Sequence, residues 1–242
     1  SIKPKKSLGQ NFLNDRNIIN KIIKASEIKP NDEVLEIGAG TGNLTKHIIA
    51  KKPKRIYVVE KDANLAKILE KQFFSKINII KKDVLKIPNE FYSEKKFLIL
   101  GNLPYNISTK ILSNWCLNDK LHVSKMILMF QKEVAERILA EVNTKKYSRI
   151  TILSKWKFDI KKVTDVKPNS FFPKPKVQST VLEFIPKKEI YVINDPKNLE
   201  KITRVFFSQR RKMIKKPINI LFKNFEFNYK KFDVNPSDRP QN

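Results

Sequence analysis

The sequence predicts an α/β protein with a mostly parallel sheet covered by helices on both faces, followed by a small basic helical region. Three observations predict it. Apolar runs of four to six residues alternate with helical periods through the first half of the chain, the pattern of strands buried on both sides. A glycine turn, Gly38-Ala39-Gly40-Thr41-Gly42, joins the first of those runs to a helical period. Beyond Pro186 the strand-like runs cease and two helical periods remain.

Taken in order, Glu33–Ile37 is the first strand, and the helix after the glycine turn carries Leu44, Ile48 and Ile49 on one face. Arg55–Glu60 is the second strand, followed by a helix over Ala63–Gln72 with Leu65, Ile68 and Leu69 inward. Ile77–Ile80 is the third strand and ends near Asp83; Phe97–Leu100 is the fourth and runs into Gly101-Asn102-Leu103-Pro104-Tyr105. Met126–Phe130 is the fifth, leading into a helix from Lys132 to about Glu141. Strand-like segments follow at Ile150–Phe158, Lys162–Val166 and Val177–Ile185, the last two separated by a proline-rich loop from Pro168 to Pro175. Pro186–Pro196 reads as a linker. Leu199–Phe207 and Met213–Phe222 read as helices, the second interrupted by Pro217. The expected division is residues 1–186 for the α/β domain and 187–242 for the basic helical one.

Composition narrows the function. Fifty Lys and Arg face 24 Asp and Glu over 242 residues, a formal net charge of +26. Residues 151–242 are the more densely basic part, with 21 basic against 9 acidic side chains. A surplus of that size suits a phosphate backbone as partner better than small anionic metabolites. The 42 Lys to 8 Arg skew is what AT-rich coding produces, but it does not explain the shortage of acids. No apolar run approaches the roughly 18 residues that span a membrane, and Ser1–Lys6 lacks the apolar stretch of a signal peptide. With one cysteine, Cys116, and two histidines, His47 and His122, neither an intrachain disulfide nor a zinc site is expected. The reading is a cytoplasmic monomer.

The glycine turn sits where backbone N–H groups can approach a ligand. A dinucleotide fold would place glycine or alanine at position 43, where Asn43 stands, and no Gly-Lys-Ser/Thr ending marks a triphosphate loop. A nucleoside cofactor without pyrophosphate remains, and S-adenosylmethionine fits it. Glu60, ending the second strand, is placed to accept from two ribose hydroxyls, and Asp83, after the third, from an adenine amine. A tight turn with two solvated carboxylates is the plainer alternative.

Asn102-Leu103-Pro104-Tyr105 is the candidate reaction centre. An exocyclic adenine amine is a poor nucleophile because its lone pair is delocalised into the ring. The Asn102 side-chain oxygen and the Leu103 carbonyl can both accept from that amine and turn its lone pair toward a methyl donor. Pro104 fixes the backbone, and Tyr105 offers a ring on which the base stacks. Such chemistry needs positioning more than a strong base. The base must be unpaired or flipped to reach the site, and Phe171 or Phe172 is the candidate to close over its other face, with Lys174 and Lys176 serving phosphates.

Six segments in order also carry a resemblance: Gln10–Leu13, Glu36–Gly42, Gly101–Ser108, Gln131–Ala135, Pro173–Ser179 and Gln209–Lys212. The chain resembles the small-subunit ribosomal RNA adenine N6,N6-dimethyltransferase family. The resemblance implies a Rossmann-like methyltransferase with a small helical C-terminal domain. It implies S-adenosylmethionine as cofactor and, as substrate, two adjacent adenosines in the 3′-terminal hairpin loop of 16S rRNA, methylated late in small-subunit assembly. It carries cofactor contacts onto Asn11, Leu13, Gly38, Glu60, Asp83 and Asn102, although Phe12 and Leu13 alone read as a hydrophobic staple before a helix. It carries target-adenine contacts onto Asn102, Leu103 and Tyr105, prefers Phe171 to Phe172 as the loop aromatic, and points to Arg210, Arg211 and Lys212 for RNA. Met213-Ile214-Lys215-Lys216-Pro217 departs from the usual continuation, and Pro217 is expected to perturb its helix. The sequence opens without Met and stops where family members add another helix, so trimmed ends are expected, with weaker RNA docking as the consequence. Three other readings share parts of the pattern: a dimethylase of the erythromycin-resistance type acting on 23S rRNA, a non-catalytic assembly factor, and a DNA adenine methyltransferase. The proline-rich loop and Gln209–Lys212 separate the chain from the first, an intact Asn102–Tyr105 from the second, and its short length from the third.

Overall fold

The computed structural model describes residues 10–223 and 225–242; Ser1–Lys6, read above for a leader, lies outside them. One sheet of seven strands organises the chain. In space the order is β4 (Asn78–Ile80), β3 (Arg55–Val59), β2 (Glu33–Ile37), β5 (Phe97–Asn102), β6 (Val123–Gln131), β9 (Ser179–Pro186) and β7 (Phe158–Val166). The first five run parallel, and β9 is antiparallel to both β6 and β7. A separate antiparallel pair joins β1 (Phe12–Leu13) to β8 (Phe171–Phe172).

The two-residue alternation of each strand sorts the apolar side chains into two cores. Leu35, Ile37, Phe97, Ile99, Met126, Leu128, Leu182 and Phe184 face one side. There they meet α4 (Ser108–Leu117), α5 (Lys132–Leu139) and α6 (Arg149–Lys157) through Ile111, Leu112, Trp115, Val134, Ile138, Ile150 and Leu153. Val34, Val58, Leu98, Leu100, Ile127, Met129 and Val181 face the other. Against them lie α1 (Arg16–Ser26), α2 (Asn43–Ala50) and α3 (Ala63–Gln72) through Ile18, Ile19, Ile22, Leu44, Ile48 and Leu69. Continuous apolar runs are what a strand covered on both sides requires. α1 starts where the Asp15 carboxylate accepts from the N–H groups of Asn17 and Ile18.

One segment expected as a strand is a helix. Ile150–Phe158 was expected to be a strand, yet it forms helix α6, and β7 begins only at Phe158. The alternation of β-branched residues suggests a strand, but a capping box decides the matter. The Ser148 N–H donates to the Thr151 hydroxyl at 2.9 Å, closing the first turn. Ile150, Thr151, Leu153 and Ser154 are then buried together, a helical spacing.

Past the sheet, α7 (Pro196–Ser208) packs against α6 and α4, and α8 spans Lys215–Leu221. Pro217 does not break α8. The helix begins two residues before it, so the proline falls in the first turn, where its absent N–H would have had no helical partner. The cost is length: α8 starts at Lys215 rather than Met213.

Candidate active site

The carboxyl ends of β2, β3, β4 and β5 open into a cavity of about 150 Å³. Asn11, Gly38, Glu60, Asp83, Asn102, Leu103, Pro104 and Tyr105 all line it. Three of the strands supply a residue at or just past their ends: Gly38 follows β2, Glu60 follows β3, and Asn102 closes β5. Ligands in open α/β sheets bind at that edge.

Gly38 has φ +73°, and a Cβ there would lie 2.5 Å from the Asn102 carbonyl oxygen. Only glycine allows the two strand ends to come this close. Gly40, at φ +57°, faces the Phe12 ring, which a Cβ would meet at 2.6 Å. Phe12 therefore packs against the turn and forms part of the cavity wall with Gln10 and Asn11. Hydrogen bonds stitch its segment down. Asn102 Nδ2 donates to the Asn11 carbonyl (2.9 Å), and Asn43 Nδ2 to the Leu13 carbonyl (3.0 Å). The Asn14 N–H donates to the Ser170 carbonyl (2.8 Å), and the Ser170 hydroxyl to Asp15 (2.7 Å).

Glu60 is buried, and desolvation raises its pKa; backbone N–H groups of Asp62 and Gly40 oppose the shift, while the Asp62 charge adds to it. Asp62 N–H donates to Glu60 Oε1 at 2.8 Å, which fixes the carboxylate at the cavity wall. Asp83 differs. Lys61 donates to its Oδ2 at 2.9 Å and the Leu85 N–H to its Oδ1 at 3.0 Å, and these bonds, the lysine's first, hold its pKa below the usual carboxylate range. The cavity thus offers one buried and one firmly ionised acceptor, with apolar Ile37, Val59, Leu65 and Val84 also in its lining. Such a set of acceptors suits an adenosine: carboxylates for its hydroxyls and its amine, and apolar walls for the base. A glycine cradle for the rest of the molecule completes the fit to S-adenosylmethionine.

At the β5 end, Asn102 spends its Nδ2 on Asn11, so its Oδ1 is left as the acceptor. Leu103 is buried, and the half-buried Tyr105 bonds through its hydroxyl to Ser179. The chain's single cysteine, Cys116, is fully buried, and desolvation pushes its thiol up to about 12, too high for a nucleophile.

The structure places the other expected residues elsewhere. Leu13 lines a smaller void of about 20 Å³ beneath the glycine turn rather than the main cavity. Phe171 does not reach the cavity. Pairing of β8 with β1 turns it into the core, 5% exposed, and leaves Phe172 outward at 57%. Lys174 and Lys176 are exposed on the loop that follows. Arg211 and Lys212 are exposed between α7 and α8, whereas the half-buried Arg210 donates to the Thr144 and Lys145 carbonyls. Sequence reasoning missed Phe12 as a wall, because its contact is with a glycine that has no side chain to signal it. It also missed Glu36, buried on β2 with Thr45 Oγ1 donating at 2.7 Å. An acid in the interior of a buried strand, two residues before a glycine turn, was the available signal.

Fold and site together define an S-adenosylmethionine-dependent methyltransferase of Rossmann-like architecture. The chain belongs to the ribosomal RNA adenine dimethylase family, whose sequence model matches residues 2–240. It is similar to ribosomal RNA small subunit methyltransferase A of Pelagibacter ubique, at 53% identity over 100% of this chain and 92% of the relative. The protein of the same name from Malacoplasma penetrans is 43% identical over 98% of this chain and 86% of its own length. Among solved structures, a dimethyladenosine transferase from Plasmodium falciparum aligns with TM-score 0.75 and 28% identity, covering 94% of this chain and 91% of that one. The 23S rRNA methyltransferase ErmE aligns with TM-score 0.68 and 25% identity, covering 94% and 92%. Among the described residues no helix is long and apolar enough to cross a membrane.

Proposed function

We propose that this chain dimethylates the N6 amino groups of two adjacent adenosines in the 3′-terminal hairpin loop of 16S rRNA during small-subunit assembly. The observation that carries the reading is the orientation of Asn102, whose amide nitrogen is committed to Asn11 and whose oxygen is left as an acceptor at the cavity. S-adenosylmethionine supplies an electrophilic methyl on a sulfonium centre. Glu60 accepts from the ribose hydroxyls of the cofactor and Asp83 from its adenine amine, while Gly38, Asn11 and Asn102 hold its remainder; Leu13 acts from behind the turn. Asn102 Oδ1 and the Leu103 carbonyl accept from the target N6 amine, which draws the nitrogen out of conjugation. Pro104 holds that carbonyl in place and Tyr105 supports the ring. The proton released after each transfer leaves to solvent, so no strong base is required.

Lys174, Lys176, Arg211 and Lys212 serve the phosphates of the surrounding RNA. Arg210 supports them from beneath, through its bonds to Thr144 and Lys145. The names of the 53% and 43% identical relatives support the small subunit as the substrate's context, ahead of the 23S rRNA that the 25% identical structure's name carries. The chain acts as a monomer in this reading.

The test is methyl transfer from radiolabelled cofactor to unmethylated small subunits, in parallel with naked 23S rRNA. About four methyls per small subunit and none on 23S are expected, as two adenosines each take two; label on 23S alone overturns the assignment. Asn102→Ala is expected to abolish transfer while keeping the fold, and near-normal turnover by that variant removes the role given to Asn102.

A further inference from the structure

Tyr105 lies in a turn, outside any helix or strand, yet its ring must present one fixed face to a base that arrives from outside. Backbone alone does not fix it, since a tyrosine side chain rotates about two bonds. What restrains it is remote in sequence. Its hydroxyl meets Ser179 Oγ at 2.5 Å, across a separation of 74 residues. Ser179 is fully buried, and its backbone pairs on both sides, with Gln131 of β6 and Val166 of β7. The hydroxyl it offers is therefore anchored in the interior of the sheet, where a serine has little freedom to follow a moving partner.

We propose that Ser179 is a positioning residue for methyl transfer: it holds the Tyr105 ring in the orientation on which the target adenine stacks. The inference rests on the reading of Tyr105 as the platform for that base. Ser179 touches neither base nor cofactor cavity and acts only through the tyrosine hydroxyl. Its place at the start of β9, directly after the loop that carries Lys174 and Lys176, puts the anchor at the point where a phosphate-binding loop rejoins the sheet. The phosphate contacts of the RNA and the ring under its base are thus registered to the same strand.

The experiment is a cycle of Ser179→Ala, Tyr105→Phe and the double variant, with Tyr105→Ala alongside. Each is assayed for kcat and KM with unmethylated small subunits, for cofactor Kd, and for Tm. Ser179→Ala removes one hydroxyl from a packed site, and Tyr105→Phe removes its partner while keeping the ring. Each is expected to lower kcat about tenfold, the scale of a modest misplacement of a reacting group, with cofactor Kd within twofold of the parent. The double variant is expected to be no slower than either single one, because both remove the same bond. Losses that multiply, an Ser179→Ala enzyme as fast as the parent, or a loss matched by weaker cofactor binding each overturn the proposal. If Tyr105→Ala keeps the parent kcat, the platform reading itself fails; if it is slow and the cycle is additive, only the anchoring role fails.

Discussion

Replacing Glu36 with Gln is expected to make stability less sensitive to pH, by an amount the structure sets. Glu36 is 1% exposed, paired between Val58 and Leu100, and hydrogen-bonded by Thr45. Burial pushes its carboxyl from 4.5 to about 7; Thr45 opposes the shift and the Glu60 charge adds to it. At about 1.4 kcal/mol per unit, ionising it inside the protein costs roughly 3 kcal/mol more than in the unfolded chain. The sign follows from proton counting. Between pH 4.5 and about 7 the folded state holds this proton and the unfolded chain has lost it. Stability therefore falls as pH rises through that window and levels off above it. A glutamine is neutral throughout and keeps an oxygen for the Thr45 hydroxyl. Urea unfolding followed by circular dichroism, for parent and Glu36→Gln at pH 5 and pH 8, reads the difference. The variant's stability relative to the parent is expected to rise by about 2–3 kcal/mol from the lower to the higher pH. A relative stability that is flat across the two conditions, or that falls, refutes the account of Glu36 as a neutral buried acid.

Gly38→Ala forces a Cβ against the Asn102 carbonyl oxygen in a left-handed backbone; cofactor affinity, measured by calorimetry, is expected to fall at least about tenfold. Phe171→Ala empties a core position and is expected to lower stability by about 3 kcal/mol, whereas Phe172→Ala, at an exposed one, is expected to change it by less than about 0.5 kcal/mol; chemical denaturation of both checks the inward and outward placement. Arg211→Ala with Lys212→Ala removes two exposed charges, so the slope of log affinity for the small subunit against log salt is expected to flatten by roughly 1.5. The same slope measured for Arg210→Ala is expected to move less, since that guanidinium is engaged with the Thr144 and Lys145 carbonyls.

The parallel strands were legible because a strand buried on both faces leaves an unbroken apolar run, and the site was legible because parallel strands deliver their last residues to one edge. The positions of Gly38, Glu60 and Asn102 at that edge follow from those two facts, while their roles were read from the glycine spacing, the Asn102–Tyr105 tetrapeptide and the resemblance. What the sequence hid was set by partners far along the chain. Ile150–Phe158 has the composition of a strand, and only the bond between Ser148 and Thr151 starts it as a helix. Phe171 and Phe172 are the same residue twice; their pairing with β1, some 160 residues earlier, decides which one is buried. Arg210 and Arg211 are likewise indistinguishable in a basic run until two carbonyls at Thr144 and Lys145 engage one of them.

The strap of residues 10–15 has a consequence for when the protein can first work. It is among the earliest described residues to be made, yet it is held by Phe171, Phe172 and the Ser170 carbonyl, which are synthesised about 160 residues later. At roughly 5–20 residues per second, translation leaves the strap without its partner for about 10–30 s. A nascent chain that has already made β2, β3 and β5 carries the Asn43 and Asn102 bonds to the strap but lacks its pairing with β8. The pairing that completes the strap, β1 with β8, therefore waits until synthesis has passed Phe172, while the strand ends that form the rest of the cavity are made well before it.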